Sequence, residues 1–251
     1  MSVSHDPARV ANAMKKIYYI GDWAVQIGPV YAETSFNHAA KGLDFINYGH
    51  WLLNALQSTG EFQVTSVPTW DFYNMKPGGY EEVLATHDIV IFSDVEAKNF
   101  QLHPQFFNRH LFGTKVLTFP DRVRLTVEAV KAGTNMMFLG GWLSFNGEMG
   151  NGGWGRTPLA DILPVRCLEM EDLRESTEGF QAEAVEAAHP ILAGVDLATM
   201  PPILGFNRVQ SRAGCPVVAR WANEGDPLRL PHKSVRSVWV IDVWNRTRCG
   251  A

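Results

Sequence analysis

Apolar residues along the chain come in short bursts whose period switches between two and about 3.6, with glycine, proline or polar residues marking each break. Lys16–Ile20 is a compact run of β-formers ended by Gly21 and Asp22, and it predicts a buried first strand. Trp23 to Lys41 keeps no steady period and is expected to be a long loop. Leu43, Ile46, Trp51, Leu52, Leu53 and Leu56 recur at helical spacing, with Gly60 as the stop, so the spacing predicts a helix over 43–56. A second strand is expected at Phe62–Val67, stopped by Pro68, then a short helix at Gly79–Thr86. His87–Phe92 is continuously apolar after its first two residues, as in a strand covered on both faces. Asp121–Ala132 carries Val123, Val127 and Val130 on one side and predicts an amphipathic helix before Gly133. Asn135–Leu139 is then a fourth strand running straight into Gly140 and Gly141.

Strand and helix thus alternate through the first half. Parallel strands need crossover connections of one hand, so this order predicts an α/β fold: a flavodoxin-like, doubly wound, mainly parallel sheet. The second half is less regular. Pro158–Pro164 reads as a helical turn, Glu169–Glu178 as an acidic stretch, and Val217–Trp221 and Ser237–Asp242 as further strands. No linker, repeat or low-complexity segment divides the chain, so residues 1–251 are expected to form one domain, with 1–14 a flexible lead-in and 225–251 an atypical end.

Composition narrows the function classes. A net charge of -4 argues against a protein that tracks nucleic-acid phosphates. No segment has the run of about 18 apolar residues that a membrane helix needs. The first residues lack an apolar h-region. Cys167, Cys215 and Cys249 are odd in number and have no metal-ligand spacing, which fits reduced thiols and a cytoplasmic location.

In an open parallel sheet, ligands bind beyond the carboxyl ends of the strands. The segments that follow strands therefore carry the candidate chemistry: Asp22 and Trp23; Ser93, Asp94 and Glu96; Gly140, Gly141, Trp142 and Ser144; and Asp242. Carboxylates gathered at one mouth can orient ligand hydroxyls, act as a base or hold a divalent cation. They can equally cap helices or bind loop amides, and for Asp242 that second role is expected. A strand running into Gly140 and Gly141 suits a nucleophile elbow, yet the elbow position falls near Trp142, which has no nucleophilic atom. Ser144 is two residues on, outside a G-x-S-x-G spacing; as a turn cap or ligand donor it needs no such spacing. The run to Gly155, with Trp154 inside it, reads either as an aromatic lid or as a plain surface loop. His189 and His103 each precede proline, so each sits in a turn or extended segment, as an acid/base or as a structural turn residue. There is no phosphate-binding loop and no H-E-x-x-H.

Ser93, Asp94, Asn99 and Leu102–Pro104, then Gly140–Phe145, Thr157–Leu159 with Leu163–Val165, and His189–Ile191 with Gly194 occur in order. Together, over roughly Lys15 to Ala222, they resemble the bacterial proteins labelled putative glutamine amidotransferases, relatives of the trehalose-utilisation-like proteins. The resemblance implies a class I glutamine amidotransferase-like sheet. Class I enzymes carry a G-x-C-x-G elbow and a late His-x-Glu pair, and this sequence has neither. Relatives also end in a Ser-Asp-x-Gly-Pro-His-Trp segment, so the resemblance implies an altered or truncated C-terminal end.

Three functions follow. The first is a binding module that holds a small polar, carbohydrate-like ligand at the strand mouth, through Trp23, Ser93, Asn99, His103, Gly140, Gly141 and Trp142 beside the carboxylates. The second is a hydrolase of a small ester, lactone, amide or sugar-derived substrate, using Asp22, Asp94, Glu96 and His189, or Ser144. The third is a working glutaminase, which lacks its thiolate here. No dedicated cofactor is implied. Exposed aromatic loops are also compatible with a homo-oligomer.

Overall fold

A computed structural model describes residues 14–27, 43–101 and 121–222. The expectations at His103, at Ser237–Asp242, at Cys249 and at the C-terminal end lie outside the described residues.

The centre of the fold is a four-stranded sheet in the order β4-β1-β5-β6, with β1 at Lys15–Gly21, β4 at Phe62–Val67, β5 at Ile89–Ser93 and β6 at Asn135–Phe138. All three pairings are parallel. β1 shows why such strands read as unbroken apolar runs. Successive side chains point to opposite faces, and both faces are covered: Tyr18 and Ile20 join one core, while Ile17 and Tyr19 join another with Ile91. The first core is closed by helices α2 (Thr69–Tyr73), α3 (Gly79–Thr86), α4 (Ala97–Gln101) and α5 (Arg122–Ala132), through Phe72, Tyr80, Phe100 and Val123. The second is covered by Leu52 and Leu56 of α1 (His50–Ser58). Helices on both faces of a parallel sheet make this a flavodoxin-like α/β fold, as the alternation of periods predicts. Local signals set the ends of α5: the Asp121 carboxylate accepts hydrogen bonds from the amides of Val123 and Arg124, as an N-cap does.

Two expectations fail in the segment after β1. Trp23–Ile27 is a strand, β2, and not part of a loop; Leu43–Asn47 is its antiparallel partner β3, and not the first turns of a helix. Cross-strand hydrogen bonding captured the first residues of the apolar pattern, and the helix forms only from His50 onward. The pattern misleads because its apolar residues do not all face a core: Leu43, Phe45 and Trp51 are exposed. The third strand is shifted to Ile89–Ser93, because the His87 amide still caps α3 by donating to the Val83 carbonyl.

The second half builds smaller sheets. β7 (Val165–Cys167) pairs with β10 (Val209–Ser211), and β8 (Leu173–Ala184) lies between β9 (Ile203–Asn207) and β11 (Ala219–Ala222). Most of the acidic stretch therefore lies in a strand whose polar residues stay at the surface. The glycine-rich run is no lid: Trp154 is fully buried, its indole N–H donates to the Val95 carbonyl at 2.6 Å, and its ring packs against Phe92, Phe100 and Phe138. Among the described residues no helix is long and apolar enough to cross a membrane.

Candidate functional site

The chain leaves β1 to form β4 on one side of it and then returns to form β5 on the other. Strand order thus reverses between β1 and β5, and in a doubly wound sheet the crevice beyond that reversal is where ligands bind. Asp22 follows β1 and Asp94 follows β5, so both carboxylates stand at this crevice. Each has a left-handed backbone, φ 56° for Asp22 and 52° for Asp94, which aspartate tolerates better than most residues. The strand ends beneath them are tightly apposed. A Cβ on Gly21 would lie 1.7 Å from the Ser93 carbonyl oxygen, and Gly21 itself has φ 108°, so only glycine fits.

Asp22 is half-buried and accepts a hydrogen bond from the Tyr19 hydroxyl. Burial pushes its carboxyl above the usual range, and hydrogen bonds from Tyr19 and Ser93 oppose the shift. The Tyr19 phenol is raised far above its ordinary value by burial and then by Asp22, so it stays a proton donor. Asp94 is raised as well, first by burial; the Leu143 amide opposes this, and Asp22 and then Glu96 add to it as neighbouring negative charges. Glu96 is partly buried and lies 2.8 Å from Lys98 Nζ as an ion pair, without the alignment of a hydrogen bond.

Asp94 is also bound into the turn after β6. Its Oδ1 accepts from the Leu143 amide at 2.7 Å, and its own amide donates to Ser144 Oγ at 3.0 Å. Ser144 is 1% exposed, and its hydroxyl oxygen is the acceptor in this bond. A Cβ on Gly141 would meet the Asp94 Cβ at 2.9 Å, which explains a glycine there. Gly140 is half-buried, and Trp142 projects from the same turn, 61% exposed. Trp23 is half-buried and donates its indole N–H to Ser66 Oγ at 3.2 Å, while Asn99 is half-buried on α4.

His189 is placed elsewhere. It follows β8, and its Nδ1 accepts from the Ile191 amide, capping a turn of 3-10 helix at Pro190–Leu192. Among the described residues no hydrogen bond links it to Asp22, Asp94 or Glu96. Nor does any group of three or more His, Cys, Asp or Glu side chains among them stand ready to hold a metal ion.

Sequence reasoning missed three contributors. Tyr19 reads as a core residue of an apolar strand. Asp172 and Asn207 reach the β6 turn from the second half. Asn207 accepts from the Gly141 amide at 2.8 Å and donates to the Gly141 carbonyl at 3.0 Å, while fully buried Asp172 accepts from the amides of Asn146 at 2.7 Å and Gly147 at 2.9 Å. No spacing in the sequence announces these links.

Residues 30–243 match the model of the family described as putative glutamine amidotransferase. The chain belongs to that family. Two solved structures share the fold: cytoplasmic protein STM3548 from Salmonella typhimurium, with 26% identity, TM-score 0.68 and coverage of 83% of this chain and 79% of that one, and cytoplasmic protein STM1381 from Salmonella typhimurium LT2, with 24% identity, TM-score 0.64 and coverage of 83% and 80%. No curated protein matches the chain. Glutaminase chemistry needs a cysteine thiolate. Cys167 lies on β7 and does not follow β5 or β6 in the chain, and burial pushes its thiol up to about 12, with Asp172 adding to the shift. A thiol so poorly ionised is a weak nucleophile.

Proposed function

We propose that this member of the putative glutamine amidotransferase family has no glutaminase chemistry and binds a small polar, carbohydrate-like ligand at the carboxyl ends of β1, β5 and β6. The reading rests on one observation above the others: Asp22 and Asp94 are held side by side at the switch point, in left-handed conformations, with Trp23 and Trp142 on either side. Backbone strain of this kind costs on the order of 1–3 kcal/mol per residue and persists where surrounding structure fixes it. Two carboxyls next to rotatable hydroxyls suit a ligand rich in hydroxyl groups, because carboxylates accept from its O–H groups and the hydroxyls can donate or accept. Ser93, Gly141 and the Trp142 turn complete the rim, and Ser144 fastens that turn to Asp94. The names of the two Salmonella proteins support a cytoplasmic location.

A second reading is favoured by the burial that pushes both carboxyls above their ordinary range. A carboxyl that holds its proton to higher pH is a better general acid, so the same mouth could hydrolyse a sugar-derived ester or lactone.

A thermal-shift screen against glutamine, sugars, sugar acids, lactones and divalent cations with a chelator control tests both. A ligand at about 100 times its Kd adds roughly 2.7 kcal/mol of stability. Stabilisation by a sugar or sugar acid that is lost in Asp22→Asn is expected, with no ammonia released from glutamine. Product formation from the stabilising ligand selects the hydrolase. Stabilisation by glutamine with ammonia release would remove the reading altogether.

A further inference from the structure

Along the carboxyl edge of the sheet, residues succeed one another in strand order and not in sequence order. Trp70 sits on α2, directly after β4; Trp23 and Asp22 follow β1; Asp94 follows β5; Trp142 follows β6. β4 and β5 are the two neighbours of β1 in the sheet, so the segments carrying Trp70 and Asp94 flank the one carrying Asp22 and Trp23. The aromatic end of this row is organised. Trp23 and Trp70 meet edge-to-face, with centroids 6.5 Å apart and planes at 80°. Phe45, reaching over from β3, lies 6.0 Å from Trp70. The Trp23 N–H is already used on Ser66 Oγ, which fixes the ring and leaves its face as the surface it offers.

These rings do not form a closed core. Trp23 and Trp70 are half-buried, Phe45 is 58% exposed, and Val25, on the same face of the β2–β3 hairpin, is 40% exposed. Packing alone would bury such rings. Beside Trp23 in the hairpin register, Asn47 keeps a buried side-chain oxygen without a hydrogen-bond donor. An apolar wall at one end and carboxyls at the other match a molecule with a C–H face and a hydroxyl edge.

Building on the proposed mouth, we propose that Trp70, Trp23 and Phe45 form the aromatic wall of the site, so that its ligand is a cyclic sugar whose C–H face lies on the Trp70 ring, which the other two rings hold in place, while its hydroxyls reach Asp22. An acyclic polyol offers the same hydroxyls but no flat face, and it binds poorly in this arrangement.

Saturation-transfer NMR with the methyl pyranosides of glucose, galactose and mannose, and with sorbitol as the acyclic control, tests the wall. Transfer to the ring C–H protons of at least one pyranoside is expected, with little to sorbitol. Trp70→Leu, which keeps apolar bulk but removes the ring, should weaken that pyranoside about tenfold, the equivalent of one lost aromatic contact. Trp70→Phe should retain most of the binding, which separates stacking from misfolding. Pyranoside binding that falls in Asp22→Asn but is unchanged in Trp70→Leu overturns the wall and leaves the mouth reading standing. Sorbitol binding as well as the pyranosides, dependent on Asp22, does the same. Failure of every sugar and polyol to bind the folded protein overturns both.

Discussion

Asp172 and Asp22 are both carboxylates pushed above their ordinary range by burial, yet their surroundings assign them different work. Asp172 is fully buried and accepts from two backbone amides, Asn146 and Gly147, and from the Asn207 side chain at 2.8 Å. The two backbone donors are fixed by the chain, and Asn207 is held in place by its bonds to Gly141. Asp22 is half-buried at the open edge of the sheet, and its partners are the hydroxyls of Tyr19 and Ser93. Hydroxyls rotate and can exchange one partner for another. A buried carboxylate surrounded by backbone amides is a fastener; one surrounded by hydroxyls at a strand mouth remains open to a ligand. Asp94 stands between the two, with an amide on one side and Asp22 on the other.

The same substitution at the two positions should therefore act in opposite ways. Asp172→Asn places an amino group against the Asn146 amide, orphaning a buried donor, and should cost about 2–3 kcal/mol. In a protein of this size that lowers Tm by roughly 4–12 °C, readable by calorimetry. An unchanged Tm would remove the distinction between fastener and site.

Ser144→Ala leaves the Asp94 amide without its acceptor in a buried turn, a cost of about 1–2 kcal/mol in urea unfolding. The result sharpens the comparison, because it places Ser144 with the fasteners. Loss of a hydrolytic activity at unchanged stability would place it with the chemistry instead.

Asp22→Asn should have a smaller effect, and one that depends on pH. The folded carboxyl titrates above the unfolded value of 3.8, so the stability it contributes is full below that value and is lost as pH rises through the folded value. The asparagine variant escapes this loss and should gain on the wild type as pH rises from about 4 toward neutrality. Parallel stability curves for the two proteins over that window would contradict burial of the Asp22 charge. Smallest of all, Glu183→Gln breaks an exposed pair with Arg220, the side chains 48% and 41% exposed, and should shift stability by less than about 0.5 kcal/mol.

Much of the sheet is legible in the sequence. The strand at Phe62–Val67 and the helix at Gly79–Thr86 are found as predicted, because a proline, a glycine and a change of period mark their ends. Trp23–Ile27 and Leu43–Asn47 were not legible as strands, since they form through backbone pairing that leaves several apolar residues exposed, whereas the helical spacing from Trp51 to Leu56 does mark a helix. Asp22 and Asp94 could be singled out by their place after strands, but nothing in the sequence decided between ligand binding and amide capping. Asp94 demonstrably binds amides of the β6 turn, a role that position alone leaves undecided.

The sequence by itself determined the class of fold, since hydrophobic burial on a two-residue and a 3.6-residue period permits few arrangements once strands and helices alternate. It also determined that no cysteine follows β5 or β6 directly. Tertiary structure alone decided the strand order that brings Trp70, Asp22, Asp94 and Trp142 into one row, and the long-range bonds by which Asn207 and Asp172 hold the β6 turn. Neighbours across a sheet are set by crossover connections and backbone pairing, and those link residues whose separation along the chain carries no periodic signal.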